Sequence, residues 1–239
     1  MKVLIIIPAY NEQNSLLETV KGLKETIKKD KDSTNIDYVI INDCSNDKTL
    51  DICRENNLNI INLPVNLGIG GAVQTGYKYA LENDYDIAIQ MDADGQHKPE
   101  YIYDLIKAIA DGNDMVIASR FIEKNGFQST FLRRLGINLY SKLIKLFSGV
   151  TIKDTTSGYR AVNKRIIKYF AKSYPVDYPE PETNAILAKA KCKISEIPVI
   201  MEERKNGKSS ITALKSIYYA GKVALAIIIS SIIKGDIDG

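Results

Sequence analysis

Five short, apolar runs rich in β-branched residues, separated by stretches with helical periodicity, constrain this 239-residue chain more than anything else in it. They lie at Lys2–Pro8, Ile36–Ile41, Asn59–Leu63, Asp86–Met91 and Met115–Ser119. Helices are expected between them: from Asn14 or Ser15 to about Lys29, then to about Asn56, then from the glycine-rich Gly68-Ile69-Gly70-Gly71 to about Asn83, then over Pro99–Ala110. Strands alternating with helices at this spacing imply a mostly parallel sheet covered on both faces.

After Arg120 the pattern changes. A helix is expected over Thr130–Ser148, then a polar loop, Asp154-Thr155-Thr156-Ser157-Gly158-Tyr159-Arg160, entering a short strand. Two prolines surround Glu180, so Tyr178-Pro179-Glu180-Pro181-Glu182 fits a helix entry and not a helix interior. A strand at Lys193–Met201 leads into a basic, glycine-bearing loop, Glu203–Ser210. The last helix, Ile211–Lys234, turns almost wholly apolar over Val223–Ile233. Those 11 residues fall short of the roughly 20 that span a bilayer, so an interfacial helix, an oligomer contact or a core helix is expected.

The fourth run ends in Asp92-Ala93-Asp94-Gly95. Strand geometry puts the two carboxylates on one side as the strand ends, in the crevice where open α/β sheets bind ligands. Hard oxygen ligands suit Mg²⁺ or Mn²⁺ better than zinc. A solvated polar turn is the competing account of a bare Asp-x-Asp. The glycines at 68, 70 and 71 are explained equally by phosphate cradling and by close packing of a helix on the sheet.

Charge is distributed unevenly. Residues 1–119 hold 11 Lys/Arg against 19 Asp/Glu (−8), residues 120–210 hold 18 against 8 (+10), and the last 29 hold 3 against 2 (+1). The first part is no nucleic-acid surface; the middle part is built to meet an anion. Arg133 and Arg134 stand near a helix start, where cations oppose the helix dipole, which favours an anionic partner over a stabilising role. Three cysteines without metal-ligand spacing indicate a reducing compartment. A single histidine argues against a zinc site or a His-based triad. The apolar start is too short for a signal peptide and is closed by Pro8.

Seven motifs in order give the chain a resemblance to the family 2 glycosyltransferases, and within them to the polyprenyl-phosphate (dolichyl-phosphate mannosyltransferase-like) sugar transferases. They are Pro8-Ala9-Tyr10-Asn11-Glu12, Asn42-Asp43-Cys44-Ser45-Asn46-Asp47, Asn66-Leu67-Gly68-Ile69-Gly70-Gly71-Ala72, Asp92-Ala93-Asp94-Gly95-Gln96-His97, Ser119-Arg120-Phe121, Ser157-Gly158-Tyr159-Arg160 and Arg204-Lys205-Asn206-Gly207-Lys208-Ser209. The resemblance covers about residues 1–210. It implies an α/β fold of GT-A type, with 1–119 as the nucleotide-sugar half, 120–210 as the acceptor half and 211–239 as a C-terminal helix. Pro8, Tyr10 and Glu12 would line a nucleoside pocket, Asp43 would meet the base, and Asn66 and Gly71 would contact the nucleotide sugar. Asp92 would sit by the ribose and diphosphate, and Asp94 would be the main ligand of Mg²⁺ or Mn²⁺, with Asp92 and Gln96 completing the set. Arg204, Lys208 and Ser209 would hold the diphosphate from the far side. Arg120, Arg133 and Arg134 would face an acceptor phosphate. Asn42 stands where the family usually has an acidic residue.

The implied reaction is inverting transfer of a sugar from a nucleoside diphosphate, UDP favoured over GDP, to a polyprenyl phosphate. An already ionised phosphate needs only positioning. The alternative acceptor, a sugar hydroxyl on a lipid-linked glycan, needs a carboxylate base, with Glu182 the first candidate and Glu180 the second. Stabilisation of a helix N-terminus accounts for both glutamates equally well. The expected partners are a nucleotide sugar, the lipid acceptor and a membrane surface, with a homo-oligomer or small membrane protein besides and no nucleic acid. The expected location is cytoplasmic, peripheral at the inner face of the plasma membrane. A sugar-nucleotide-binding scaffold without turnover is disfavoured by Asp92, Asp94 and Arg204, and a nucleotidyltransferase by the lack of a glycine-rich Lys/Arg signature after the first strand.

Overall fold

The computed structural model describes residues 1–29, 35–123, 131–202, 213–232 and 237. Seven strands form one sheet: β1 (Lys2–Ala9), β2 (Asn35–Asn42), β3 (Ile60–Asn62), β4 (Ile87–Gln90), β5 (Met115–Ser119), β6 (Arg160–Asn163) and β7 (Ile194–Pro198), in the order β3-β2-β1-β4-β6-β5-β7. β1 runs parallel to β2 and β4, β2 to β3, and β5 to β7, whereas β6 is antiparallel to both its neighbours. The sheet is therefore mostly parallel, and β6 enters it between β4 and β5, across the boundary at residue 119 where the charge changes sign.

Side-chain alternation along the strands divides the core in two. Val3, Ile5 and Ile7 of β1 with Ile87 and Ile89 of β4 face α1 (Leu16–Lys29) and α4 (Ile102–Ala110). Leu4 and Ile6 with Ala88 face the other layer, made by α3 (Gly68–Glu82), α6 (Lys164–Lys172) and α7 (Pro179–Lys189). A short α2 (Thr49–Glu55) follows β2. Two further helices, α5 (Phe131–Ser148) and α8 (Ala213–Ile232), pack on each other and on α7. They bury Tyr140 and Ile144 of α5 and Val223 and Ile227 of α8 in that second cluster.

Helix α6 has no counterpart in the sequence reading, although its signal is plain. Asn163 caps it, its Oδ1 accepting from the Ile166 N–H at 3.1 Å. Ile166, Ile167 and Phe170 line one buried stripe, and each such side chain stabilises the fold by about 1.5–3 kcal/mol. At Pro179–Lys189 the prolines occupy the first turn, where a missing N–H costs nothing. Among the described residues no helix is long and apolar enough to cross a membrane.

Gly70, Gly71 and Gly76 of α3 sit in close contacts, whereas Gly68 at its start has a φ of +75° and nothing a Cβ would meet. A Cβ on Gly76 would collide with Ile6 of β1, and one on Gly70 with the backbone carbonyls of Pro175 and Val176. On Gly71, expected at the nucleotide sugar, a Cβ would collide with Leu67 of the helix's own entry.

Candidate active site

The parallel strands β1, β2 and β4 are in register side by side, and the loops after them lie at the carboxyl end of the sheet, where open α/β sheets bind ligands in a crevice. The loops after β1 and β2 are stitched to one another. Asn11 N–H donates to Ser45 Oγ (2.9 Å), Asn46 N–H to Asn11 Oδ1 (2.8 Å) and Glu12 N–H to Thr49 Oγ1 (2.9 Å). Asn11 and Cys44 both adopt positive φ to close these turns. Pro8 is buried within β1, whereas the Tyr10 ring is exposed and its hydroxyl accepts from Asn46 Nδ2 at 3.4 Å. The Glu12 carboxylate accepts the Ser15 hydroxyl at 2.6 Å.

Asp43 is 3% exposed and its Oδ1 takes the Leu67 N–H at 2.7 Å, while its carbonyl accepts from Asn66 Nδ2 at 3.0 Å. Asp43 and Asn66, expected at the base and the nucleotide sugar, thus clamp the loop after β2 to the entry of α3. Asn42 uses its amide in both directions, donating to Asn62 Oδ1 (2.5 Å) and accepting from Ser45 Oγ (2.6 Å). A carboxylate could not make that donation, which is a local reason for the amide here.

Beyond β4, Asp94 is buried and its Oδ1 accepts the Gln96 N–H at 3.0 Å. The Asp92 side chain is more open, 36% exposed. Its backbone N–H donates to His97 Nδ1 at 2.9 Å, so the imidazole proton sits on Nε2, 3.7 Å from Asp92 Oδ2. His97 stacks on Tyr159, ring centroids 4.8 Å apart, and burial pushes its pKa below the ordinary value, so the ring is neutral at pH 7. Gly158 supplies the space beside Asp92. A Cβ there would lie 3.0 Å from Gln90 Nε2 and 3.2 and 3.3 Å from the Asp92 carboxylate oxygens. Gln96, expected as a metal ligand, gives its amide N–H to the Glu202 carbonyl at 3.1 Å and accepts the Glu202 N–H on its own carbonyl at 3.2 Å. It anchors the segment that precedes Arg204.

Behind Asp92 lies a fully buried arginine. Arg160 pairs across the sheet with Gln90 and donates from Nη1 to Thr183 Oγ1 (2.7 Å) and from Nη2 to the Ser157 carbonyl (2.6 Å). Glu180, in the first turn of α7, is drawn toward this cation and repelled by Asp92. Burial is the largest influence and raises its pKa. The Gln90 amide lies against Glu180, with neither amide atom in full hydrogen-bond geometry. Glu182, two residues on and about 200° round the helix, has its pKa raised by burial and by Asp177. Of the two glutamates, Glu180 feels the charge of Asp92 and Glu182 that of Asp177.

Arg120, expected at an acceptor phosphate, is paired within the fold. Its guanidinium is 6% exposed and grips Asp154, itself fully buried, with Nε and Nη2 both 2.7 Å from carboxylate oxygens, and Nη2 also reaches Thr156 Oγ1 at 3.1 Å. Asp154 thus balances that charge within the fold. Arg133, in the first turn of α5, is exposed; partial loss of hydration and then Arg120 lower its pKa, while Asp154, Glu180 and Asp92 act in the opposite sense. Arg134, the next residue, is exposed. Arg204, Lys208 and Ser209 lie outside the described residues.

Residues 4–170 match the family model described as Glycosyl transferase family 2. The chain belongs to that family. This family 2 glycosyltransferase is 29% identical over 224 residues to an undecaprenyl-phosphate mannosyltransferase of Micrococcus luteus, covering 89% of this chain and 88% of that one. It is 33% identical over 219 residues to the UDP-N-acetylglucosamine–dolichyl-phosphate N-acetylglucosaminyltransferase of Methanococcus voltae, covering 82% and 84%. Its fold matches a crystal structure of glucosyl-3-phosphoglycerate synthase from Mycobacterium tuberculosis in complex with Mn²⁺, UDP and phosphoglyceric acid. The TM-score is 0.72 at 15% identity, over 98% of this chain and 80% of that one. The GT-A expectation is thereby met.

His97, Gly158, Arg160 and Asp154 shape the crevice without having been assigned roles from the sequence. The first three stand inside two of the quoted motifs, so their positions were visible and their contacts were not. Among the described residues no three His, Cys, Asp or Glu side chains gather as a metal cluster. Two carboxylates at the end of a central strand nevertheless suit Mg²⁺ or Mn²⁺, which bind through one or two carboxylates and fill the remaining positions with phosphate oxygens and water.

Proposed function

We propose that this glycosyltransferase moves a sugar from a nucleoside diphosphate, UDP before GDP, to the phosphate of a polyprenyl lipid, with inversion at the anomeric carbon. The reading rests on Arg133, a cation from the basic segment, lying in the electrostatic field of Asp154, Glu180 and Asp92, the last of them just beyond the end of β4. The polyprenyl-phosphate acceptors in the names of the two relatives support the same acceptor class.

Asp92 and Asp94 would hold Mg²⁺ or Mn²⁺, which when bound supplies Lewis-acid neutralisation of the leaving diphosphate. Glu12, Tyr10 and Pro8 would border the nucleoside, on loops made rigid by the Asn11 and Ser45 bonds. Arg204, Lys208 and Ser209 would meet the diphosphate from the far side. Arg133 and Arg134 would orient the acceptor phosphate, which is already ionised near neutral pH and attacks without a base. Arg160 and His97 act through others, the first offsetting the charge of Glu180 and Asp92, the second fixing the Asp92 backbone.

The test is a panel of UDP-, GDP- and dTDP-sugars with Mn²⁺, with and without polyprenyl phosphate, scored for release of the nucleoside diphosphate. Release from one donor that depends on the lipid phosphate is the expected result. Equal release without the lipid, or release only with a glycan hydroxyl acceptor, overturns the reading.

A further inference from the structure

We infer that Tyr77, Tyr174 and Gln90 are positioning residues: through shared buried water they close a polar chamber behind the crevice and fix Arg160 and Glu180 near Asp92. Three parts of the fold meet there. Tyr77 comes from α3, Gln90 and Arg160 from the paired strands β4 and β6, and Tyr174 from the turn between α6 and α7. Tyr77 and Arg160 are fully buried, Gln90 is 1% exposed and Tyr174 7%. The two tyrosine rings stand 5.4 Å apart, centroid to centroid, and both pack on Phe170, at 5.1 and 5.0 Å. Their hydroxyls lie in the field of the same two charges, Arg160 and Glu180, and that of Tyr174 also feels Asp92.

Each member of this group is short of a partner. Among the described residues neither tyrosine hydroxyl has a hydrogen-bond partner, nor does either atom of the Gln90 amide. The Arg160 guanidinium gives its bonds to the Ser157 carbonyl and the Thr183 hydroxyl, which leaves N–H donors to spare. Among the described residues no carboxylate pairs with it directly. A buried cation without a direct counter-ion and a buried hydroxyl without a partner are each costly when dry. Ring packing does not explain the hydroxyls, because Phe170 fills the same cluster with a plain phenyl ring. Buried water does explain them. A water molecule in such a place makes about three hydrogen bonds, accepting from arginine or tyrosine and donating to a carboxylate or an amide oxygen. It carries the influence of Arg160 to Glu180, which no direct ion pair spans. Gln90 links the chamber to the crevice: a Cβ on Gly158 would meet Gln90 Nε2 at 3.0 Å and the Asp92 oxygens at 3.2 and 3.3 Å.

The kinetic part of the inference rests on the reaction proposed above; the water site does not. The experiment is a crystal structure of the full chain at a resolution that shows ordered water. Melting and steady-state measurements on Tyr77→Phe, Tyr174→Phe, the double tyrosine variant and Gln90→Met accompany it. Ordered water should stand within about 3.2 Å of both hydroxyls. Each substitution keeps the shape of the side chain and removes its bonds to water, so each single variant should melt about 1–6 °C below the wild type. The double variant should lose less than the sum of its singles, because the water is shared. Well below melting, turnover should fall by about two- to tenfold in each single variant, with the acceptor KM unmoved. If the hydroxyls are dry, their removal raises the melting temperature; that result, or a structure with no water at them, overturns the chamber. Lower melting with wild-type turnover overturns the positioning role. Water at the hydroxyls and lower melting of the variants, in a protein whose wild type transfers no sugar, uphold the chamber and count against the proposed reaction.

Discussion

Removing one partner of the Arg120–Asp154 pair separates a structural arginine from an acceptor-binding one. Asp154 is fully buried and accepts three bonds from Arg120, two from the guanidinium at 2.7 Å and one from the backbone N–H at 3.1 Å. The Asp154 N–H donates in turn to Glu196 Oε1 at 2.8 Å, which fixes the loop. Asp154→Ala strands a guanidinium that is 6% exposed, and breaking a buried pair in this way costs about 3–5 kcal/mol. At roughly 2–4 °C per kcal/mol for a chain of this size, the melting temperature should fall by about 6–20 °C. Combining Arg120→Met with Asp154→Leu should restore much of the loss, since a matched apolar pair leaves no charge behind. Thermal melts and urea titrations of the wild type, both single variants and the double variant complete the cycle. A loss under about 1 kcal/mol in Asp154→Ala would place the pair among solvated surface bridges and refute the reasoning. Where the double variant is folded, its acceptor KM should stay near the wild-type value, in contrast to Arg133→Ala, which should raise the acceptor KM far more than the donor KM.

Gly158→Ala should fold, yet crowd Asp92 by placing a Cβ 3.2 Å from its carboxylate; steady-state assays should show reduced turnover, since the site's geometry sets the rate, and wild-type turnover would deny the close approach any role. Burial raises the pKa of Glu180 from its ordinary 4.5, so the folded state holds that proton more tightly than the unfolded chain. Stability therefore falls as pH rises from 4.5 through the raised pKa, and Glu180→Gln should out-melt the wild type at pH 8 and lose that advantage below pH 4.5. A constant difference across that range in thermal melts contradicts the assignment. With a phosphate acceptor, Glu182→Gln should retain most of the transfer rate, whereas near-complete loss would favour a hydroxyl acceptor. Burial drives the Cys53 thiol up to about 11, and Cys192 is also buried, so iodoacetamide at pH 8 followed by mass mapping should label Cys44 first in the native protein.

What the sequence disclosed and what it withheld divide along physical lines. Local chemistry was legible. Met115–Ser119 is read from its apolar run and found at those residues as β5, and the Pro-Glu-Pro-Glu stretch is read as a helix entry because proline is tolerated there and not further in. Pairing was not legible. Nothing in Arg160–Asn163 states that this strand lies antiparallel between β4 and β5, because partner choice is settled by how all the layers pack. The same limit explains Arg120. Its charge was visible, but Asp154, 34 residues away, neutralises it only after β6 has turned back into the sheet. Glu180 and Glu182 look alike in one dimension, and the turn of α7 alone sends one toward Asp92 and the other toward Asp177.

The most direct test of the account is mass analysis of the lipid product from a single turnover with the preferred nucleotide sugar, undecaprenyl phosphate and Mn²⁺, run with the wild type and with Asp94→Ala. The account predicts one sugar joined to the lipid phosphate for each nucleoside diphosphate released by the wild type, and no such product from a folded Asp94→Ala protein. A wild-type product with the sugar on a hydroxyl, or the same phosphate-linked product from Asp94→Ala, would contradict it.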